Sequence, residues 1–164
     1  MSKAKRPSDG IRIKGMFRVH IEDSGKIVGD SGWKTNQVTN DGFNQYLVQS
    51  LGTGLTGKVI SHMAIGTGSV PASNATSLDG EVTGSSSARA AVTAATSSSS
   101  KTLRCTAIFN SANSFVTATA NLSNIGLFNT SAVTTGTLFA GNTFASSVCA
   151  TNQNVNATYD IIFS

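Results

Sequence analysis

Asp79 and Glu81 stand two residues apart in the run Ser77-Leu-Asp-Gly-Glu81, a spacing that sets two carboxylates on one side of an extended segment. Paired carboxylates are the equipment of general acid–base chemistry. Here they lie in a Ser/Gly-rich loop, where the plainer reading is two solvated acids, or acids paired with Arg89. Just upstream, Val59-Ile-Ser-His-Met-Ala-Ile-Gly-Thr-Gly-Ser-Val-Pro71 carries a glycine pair, Gly66 and Gly68. A phosphate cradle would need a helix after the glycines and a Lys-Ser or Lys-Thr pair, and neither follows, so the pair reads as a strand end and a loop. His20 and His62 fall in no triad order, and no Gly-x-Ser-x-Gly elbow occurs. Cys105 and Cys149 are too far apart for a Cys-x-x-Cys site, and the histidines lack ligand spacing, which argues against zinc. Cys105 sits on the apolar face of an alternating segment and reads as a small buried hydrophobe. A disulfide between the two cysteines stays open. The expectation is a chain with no catalytic residues, no metal and no cofactor.

Composition points the same way. Of 164 residues, 12% are charged and 39% hydrophobic, with Ser, Thr, Asn, Ala and Gly filling most of the remainder. So little charge does not suit a charged disordered chain, and β-branched Thr with small polar residues suits a half-wetted sheet. No apolar run reaches transmembrane length, so no membrane partner is expected. The net charge of +4 is uneven. Lys3, Lys5, Arg6, Arg12, Lys14 and Arg18 face Asp9 alone in the first twenty residues. Such an arm is either a solvated tail or a contact for an acidic partner. It lacks the interleaved aromatics that stack bases, which argues against nucleic-acid reading. The basic start has no apolar region behind it, so a secretory leader is not expected, and the chain is placed in the cytosol unless it leaves within an assembly.

The elements that would position these residues are mostly strands. Ile11, Ile13, Phe17, Val19 and Ile21 alternate with Arg12, Lys14, Arg18 and His20, and Asp23-Ser-Gly25 turns the chain, so 11–34 reads as a β-hairpin. Trp33 closes it as a packing anchor. Asn40-Asp41 offers a helix cap, and Phe43, Tyr46, Leu47 and Leu51 recur at helical spacing up to Gly52, predicting one short helix over 41–51. Strands follow over 58–65 and 89–95, separated by a long loop over 66–87. Leu103, Cys105, Ala107 and Phe109 alternate, and Phe115, Thr117 and Thr119 read as the partner strand after a turn at 110–113. Further strands cover 124–129, 136–144 and 155–163. This spacing predicts an all-β antiparallel β-sandwich, jelly-roll-like or immunoglobulin-like, as a single domain over 11–164 behind a flexible basic arm over 1–10.

The order Asn40-Asp-Gly42, His62-Met-Ala-Ile-Gly-Thr-Gly68, Pro71, Thr76-Ser-Leu78-Asp-Gly-Glu81, Arg89, Ile125-Gly-Leu-Phe-Asn129 and Gly136-Thr-Leu-Phe-Ala-Gly-Asn-Thr-Phe144 resembles a group of small virion proteins of tailed bacteriophages. The resemblance covers about residues 38–163 and leaves the basic segment 1–34 outside. It implies a non-enzymatic structural component of the virion, assembled in the host cytoplasm. The short chain, without a heptad stalk, favours a capsid decoration or cement protein over a tail fibre, adaptor or tip. The implied partners are the major capsid protein or other virion proteins and further copies of the chain, as a dimer or trimer. The contact elements would then be the basic arm and the segment after it, through Lys3, Lys5, Arg6, Arg12, Lys14 and Arg18, and the long loop, through Asp79 and Glu81, with Arg89 just beyond it. A competing reading is a carbohydrate- or receptor-binding module at a fibre tip, using Trp33 or Tyr46.

Overall fold

Alternation in the first strand is met in space. In β1 (Ile13–Asp23), Gly15, Phe17, Val19 and Ile21 turn inward, while Lys14 and Arg18 point outward. The computed structural model describes residues 10–84, 89–96, 100–133 and 135–164. Lys3, Lys5, Arg6 and the rest of residues 1–9 of the arm assigned to 1–10 lie outside the described residues, as do 85–88, at the end of the long loop.

β2 (Lys26–Asp30) returns from β1 through Ser24 and Gly25, both at positive φ (51° and 81°), the conformation that a tight hairpin demands. Two short strands follow, β3 (Lys34–Thr35) and β4 (Gln37–Val38). Then come β5 (His62–Gly66), β6 (Ala90–Ala91), β7 (Thr93–Ala95), β8 (Thr102–Phe109), β9 (Ala120–Phe128), β10 (Leu138–Cys149) and β11 (Asn154–Phe163). They form two antiparallel sheets. The first runs β2-β1-β11-β8-β7, with β3 also on β1, and the second β4-β10-β9-β5-β6. The chain crosses between sheets at Asn36, at Val92, between β8 and β9 and between β10 and β11, so the two sheets are built from interleaved segments.

The result is the expected all-β sandwich. β11 lies in the middle of the first sheet, pairing β1 from Ile13↔Phe163 to Glu22↔Asn154 and β8 from Ile162↔Thr102 to Val155↔Phe109. Between the sheets, Phe17 stacks on Tyr159 at 5.5 Å and meets Phe144 edge-on at 6.2 Å, while Phe109 lies 5.7 Å from Phe115. Cys105 and Cys149 are both buried free thiols.

Several local expectations change. Phe115, Thr117 and Thr119 form no strand. Ser114, at φ 48°, redirects the chain after β8, Phe115 and Val116 plug the core, and β9 begins at Ala120 in the other sheet. β8 pairs instead with β7 and with β11, the second of which a local reading cannot supply. The helix over 41–51 is a π-type turn, Gly42–Leu47, followed by a 3-10 turn, Val48–Ser50. Neither Asn40 nor Asp41 caps it. Buried Thr39 does, accepting from Gly42 N at 2.9 Å while donating to Leu138 O at 2.5 Å. The wider turn breaks the helical stripe: Tyr46 is buried against Phe139, Leu47 is half-buried, and Phe43 and Leu51 point to solvent. Trp33 is no packing anchor either, being 43% exposed.

Burial pushes both thiols up to about 11, leaving about one in a thousand ionised at pH 8. Ellman's reagent at that pH should therefore find the folded protein inert and should titrate both thiols only after denaturation. A thiol that reacts quickly in the folded protein would contradict the packing of β8 and β10.

Candidate functional site

The second sheet departs from simple alternation. Met63, Ala64, Ile65 and Gly66 are all buried, as are Asn124 through Phe128 and Leu138 through Gly141. A sheet that alternates buries one face, so a continuous run means both faces are covered. The outer cover is the chain that follows β5. Ala64, Leu78, Phe128 and Leu138 form a small second core there, with Ala75 packed against it, and buried Pro71 sits over Gly141.

The glycines make that cover fit. A Cβ on Gly66 would stand 2.5 Å from Asn124 Oδ1, and one on Gly68 would collide with the main chain of Asp79. With hydrogen atoms there instead, the two limbs of the segment close on each other. Thr67 N donates to Gly80 O at 3.0 Å, Val82 N donates to Ile65 O at 2.9 Å, and Gly66 bridges Glu81. Buried Asn124 donates to Ser69 O at 3.0 Å and to Asp79 O at 2.8 Å, and Ser123 donates to Gly68 O. The Gly-x-Gly run is thus a site of close backbone packing.

Arg89 holds the cover down. Its Nε and one Nη donate to the two oxygens of Glu81 at 2.6 and 2.9 Å, and its other Nη donates to Thr130 O at 3.2 Å and Thr135 O at 2.9 Å. The guanidinium carbon lies 3.6 Å from the centre of the Phe128 ring. The side chains of Arg89 and Glu81 are 1% and 8% exposed. Of Asp79, Glu81 and Arg89, all expected to meet a partner, the last two are therefore unavailable, because each is held by the other inside the molecule. Asp79 has an exposed carboxylate, but Ser69 N and Oγ donate to it at 2.9 and 2.8 Å and hold it below the usual carboxylate range. The long loop does not extend outward as a contact arm over its described part. It is the outer layer of the second sheet.

The residues expected from the basic segment fare differently. Arg12 and Lys14 are exposed at one end of the first sheet, and Arg12 exchanges main-chain hydrogen bonds with Ser164 at 2.7 and 2.9 Å. Arg18 forms a two-pronged pair with Asp30 at 3.0 and 2.6 Å, and that arginine, with Gly32 N, holds the Asp30 carboxyl well below its ordinary range. Arg18 is thereby neutralised, as is Arg104, paired with Asp160 at 2.8 and 2.7 Å. Free positive charge on β1 is left with Lys14 and the neighbouring Arg12.

Two further surfaces went unread in the sequence. A groove of about 490 Å³ opens where β6 and β7 part, beside His62, Ile108 and Asn110. Ser61 Oγ and His62 Nδ1 lie 2.8 Å apart at its wall, and burial together with Arg89 lowers the imidazole pKa, so the ring is neutral at pH 7. The second surface is the helical end of the molecule, where Phe43, Val48, Leu51, Leu55 and Val59 are 46%, 54%, 87%, 55% and 72% exposed. Its sequence signal is the absence of any charged residue from Gly42 to Gly57.

No protein-family model, no curated protein and no solved structure matches this chain.

Breaking a buried ion pair from one side leaves an uncompensated charge, which costs about 3–5 kcal/mol. Arg89→Met should lower stability by about that much in urea unfolding, and Arg89→Lys should fall between, because an ammonium cannot reproduce the fork. Adding Glu81→Leu to Arg89→Met should recover part of the loss. A change under about 1 kcal/mol in Arg89→Met would show that the pair does not hold the cover.

Proposed function

We propose that this chain is a non-enzymatic structural component of a tailed-phage virion, a decoration or cement protein that binds and stabilises the head shell. The observation that carries the reading is the fate of the residues behind the phage resemblance. Gly66, Gly68, Pro71, Leu78, Glu81, Arg89, Gly126, Phe128 and Leu138 meet in one place, where they lock the outer cover to the second sheet. A pattern of that kind marks a shared scaffold. It fits a building block better than an enzyme, since the acids Asp79 and Glu81 are engaged in structural bonds. The helical end adds an exposed apolar face of the sort that marks protein–protein contact. Arg12 and Lys14 supply positive charge for an acidic shell.

A tail location is the alternative, with receptor or carbohydrate binding. Trp33 favours it, since a half-exposed indole beside Lys34 can stack on a sugar ring. Tyr46 does not, because it is buried with its hydroxyl donating to Thr137 O.

Purified protein mixed with particles lacking it should co-sediment at hundreds of copies per particle. Arg12→Glu with Lys14→Glu should weaken that binding and its salt dependence together. Copy numbers of a few dozen or fewer would place the chain in the tail, and no binding to any particle would overturn the virion reading. On a glycan array, binding that is lost in Trp33→Ala would favour the tip reading, and a blank array would remove it.

A further inference from the structure

The helical end carries a projection and a groove side by side. Residues 51–57 fold back on the helical turns. Leu55 N donates to Gly52 O, the Leu55 side chain lies over Gly52, and Gly57 packs on Ser50. The returning chain is tied down where Lys58 N donates to Gln45 O at 2.8 Å and Lys58 Nζ donates to Thr137 Oγ1. This makes a fixed knob with Leu51 at its tip, 87% exposed. Beside it lies an apolar groove of about 260 Å³ between Leu47, Val59, Ile60, Leu103 and Phe163.

We infer that this end is where the chain associates with copies of itself, the knob around Leu51 and Leu55 of one subunit entering the Val59–Leu103 groove of the next. Three observations select a second copy as the occupant. The projecting apolar group and the apolar recess are both present on one face, so a rotation axis beside that face satisfies both at once. The knob, drawn from the stretch Gly42 to Gly57, has no charged side chain, so it meets Lys58 at the groove wall of the next copy without like-charge repulsion. The area also suits: the five exposed side chains leave on the order of 500 Å² in water, the size of the largest patch on a typical monomer. With the groove walls added, two such faces together bury on the order of 1,100 Å², at the low end of specific interfaces. The inference stands apart from the virion reading, because it concerns the isolated protein.

The test is sedimentation equilibrium on the full chain over a dilution series. At about 100 µM the wild type should be assembled, dissociating on dilution with a Kd in the micromolar range or below. Leu51→Glu and Val59→Glu, made separately, should each weaken association at least tenfold. Ile108→Glu, at another exposed apolar position, should not. Far-UV circular dichroism should match the wild type for all three, since each side chain is more than half exposed. A wild type that is monomeric at about 100 µM would overturn the inference. So would an oligomer indifferent to both end variants. A monomer that still binds particles would overturn self-association and leave the virion reading intact.

Discussion

The Arg89–Glu81 pair sets the terms for the second sheet. A guanidinium 1% exposed has left water, and it is tolerable only because four hydrogen bonds and an aromatic face replace the hydration it lost. Those partners come from three separate stretches: Glu81 at the end of the cover, Phe128 at the end of β9, and the turn at Thr130–Thr135 before β10. The charge is satisfied only when all three are in place. Buried charge thus acts as a registration device, making the cover, β9 and β10 assemble together or not at all.

The two sheets are consequently different in kind. The first has one buried face and one wetted face, where Arg18–Asp30 and Arg104–Asp160 pair across neighbouring strands at little energetic gain. The second is covered on both faces across β5 and the adjoining halves of β9 and β10, and there it is an interior layer. The contact surfaces then gather at one end of the body, where the apolar face around Leu51 and the groove at Phe163 adjoin Arg12 and Lys14.

How much of this the sequence disclosed follows from how local each cause is. β1 and β11 were legible because alternation is written into consecutive residues. The hairpin at Ser24-Gly25 was legible because turns carry their own chemistry. The placement of Cys105 and the pairing of an acid in the loop with Arg89 were also readable, the second only as one of two options. What failed was non-local. Nothing near Phe115 announces that β8 pairs with the last strand of the chain. Thr39 caps the helical turn only because Leu138, 99 residues later, supplies its carbonyl. Gly66 and Gly68 are glycines because of Asn124 and Asp79. The long loop looked like a contact arm because Ser, Gly and Asn are also what a tightly packed, hydrogen-bonded cover uses. Phe43 and Leu51 looked like core because helical spacing was assumed where the turn is wider.

Amide hydrogen exchange on residues 67–82 tests the central claim most directly, namely that this segment is a structural layer clamped by Arg89. The amides of Thr67, Ser69 and Val82, bonded to Gly80, Asp79 and Ile65, should exchange as slowly as those of β5 and β9. In Arg89→Met they should speed up first. Exchange as fast as at the exposed Asp23–Lys26 turn in the wild type would show an open loop and contradict the account.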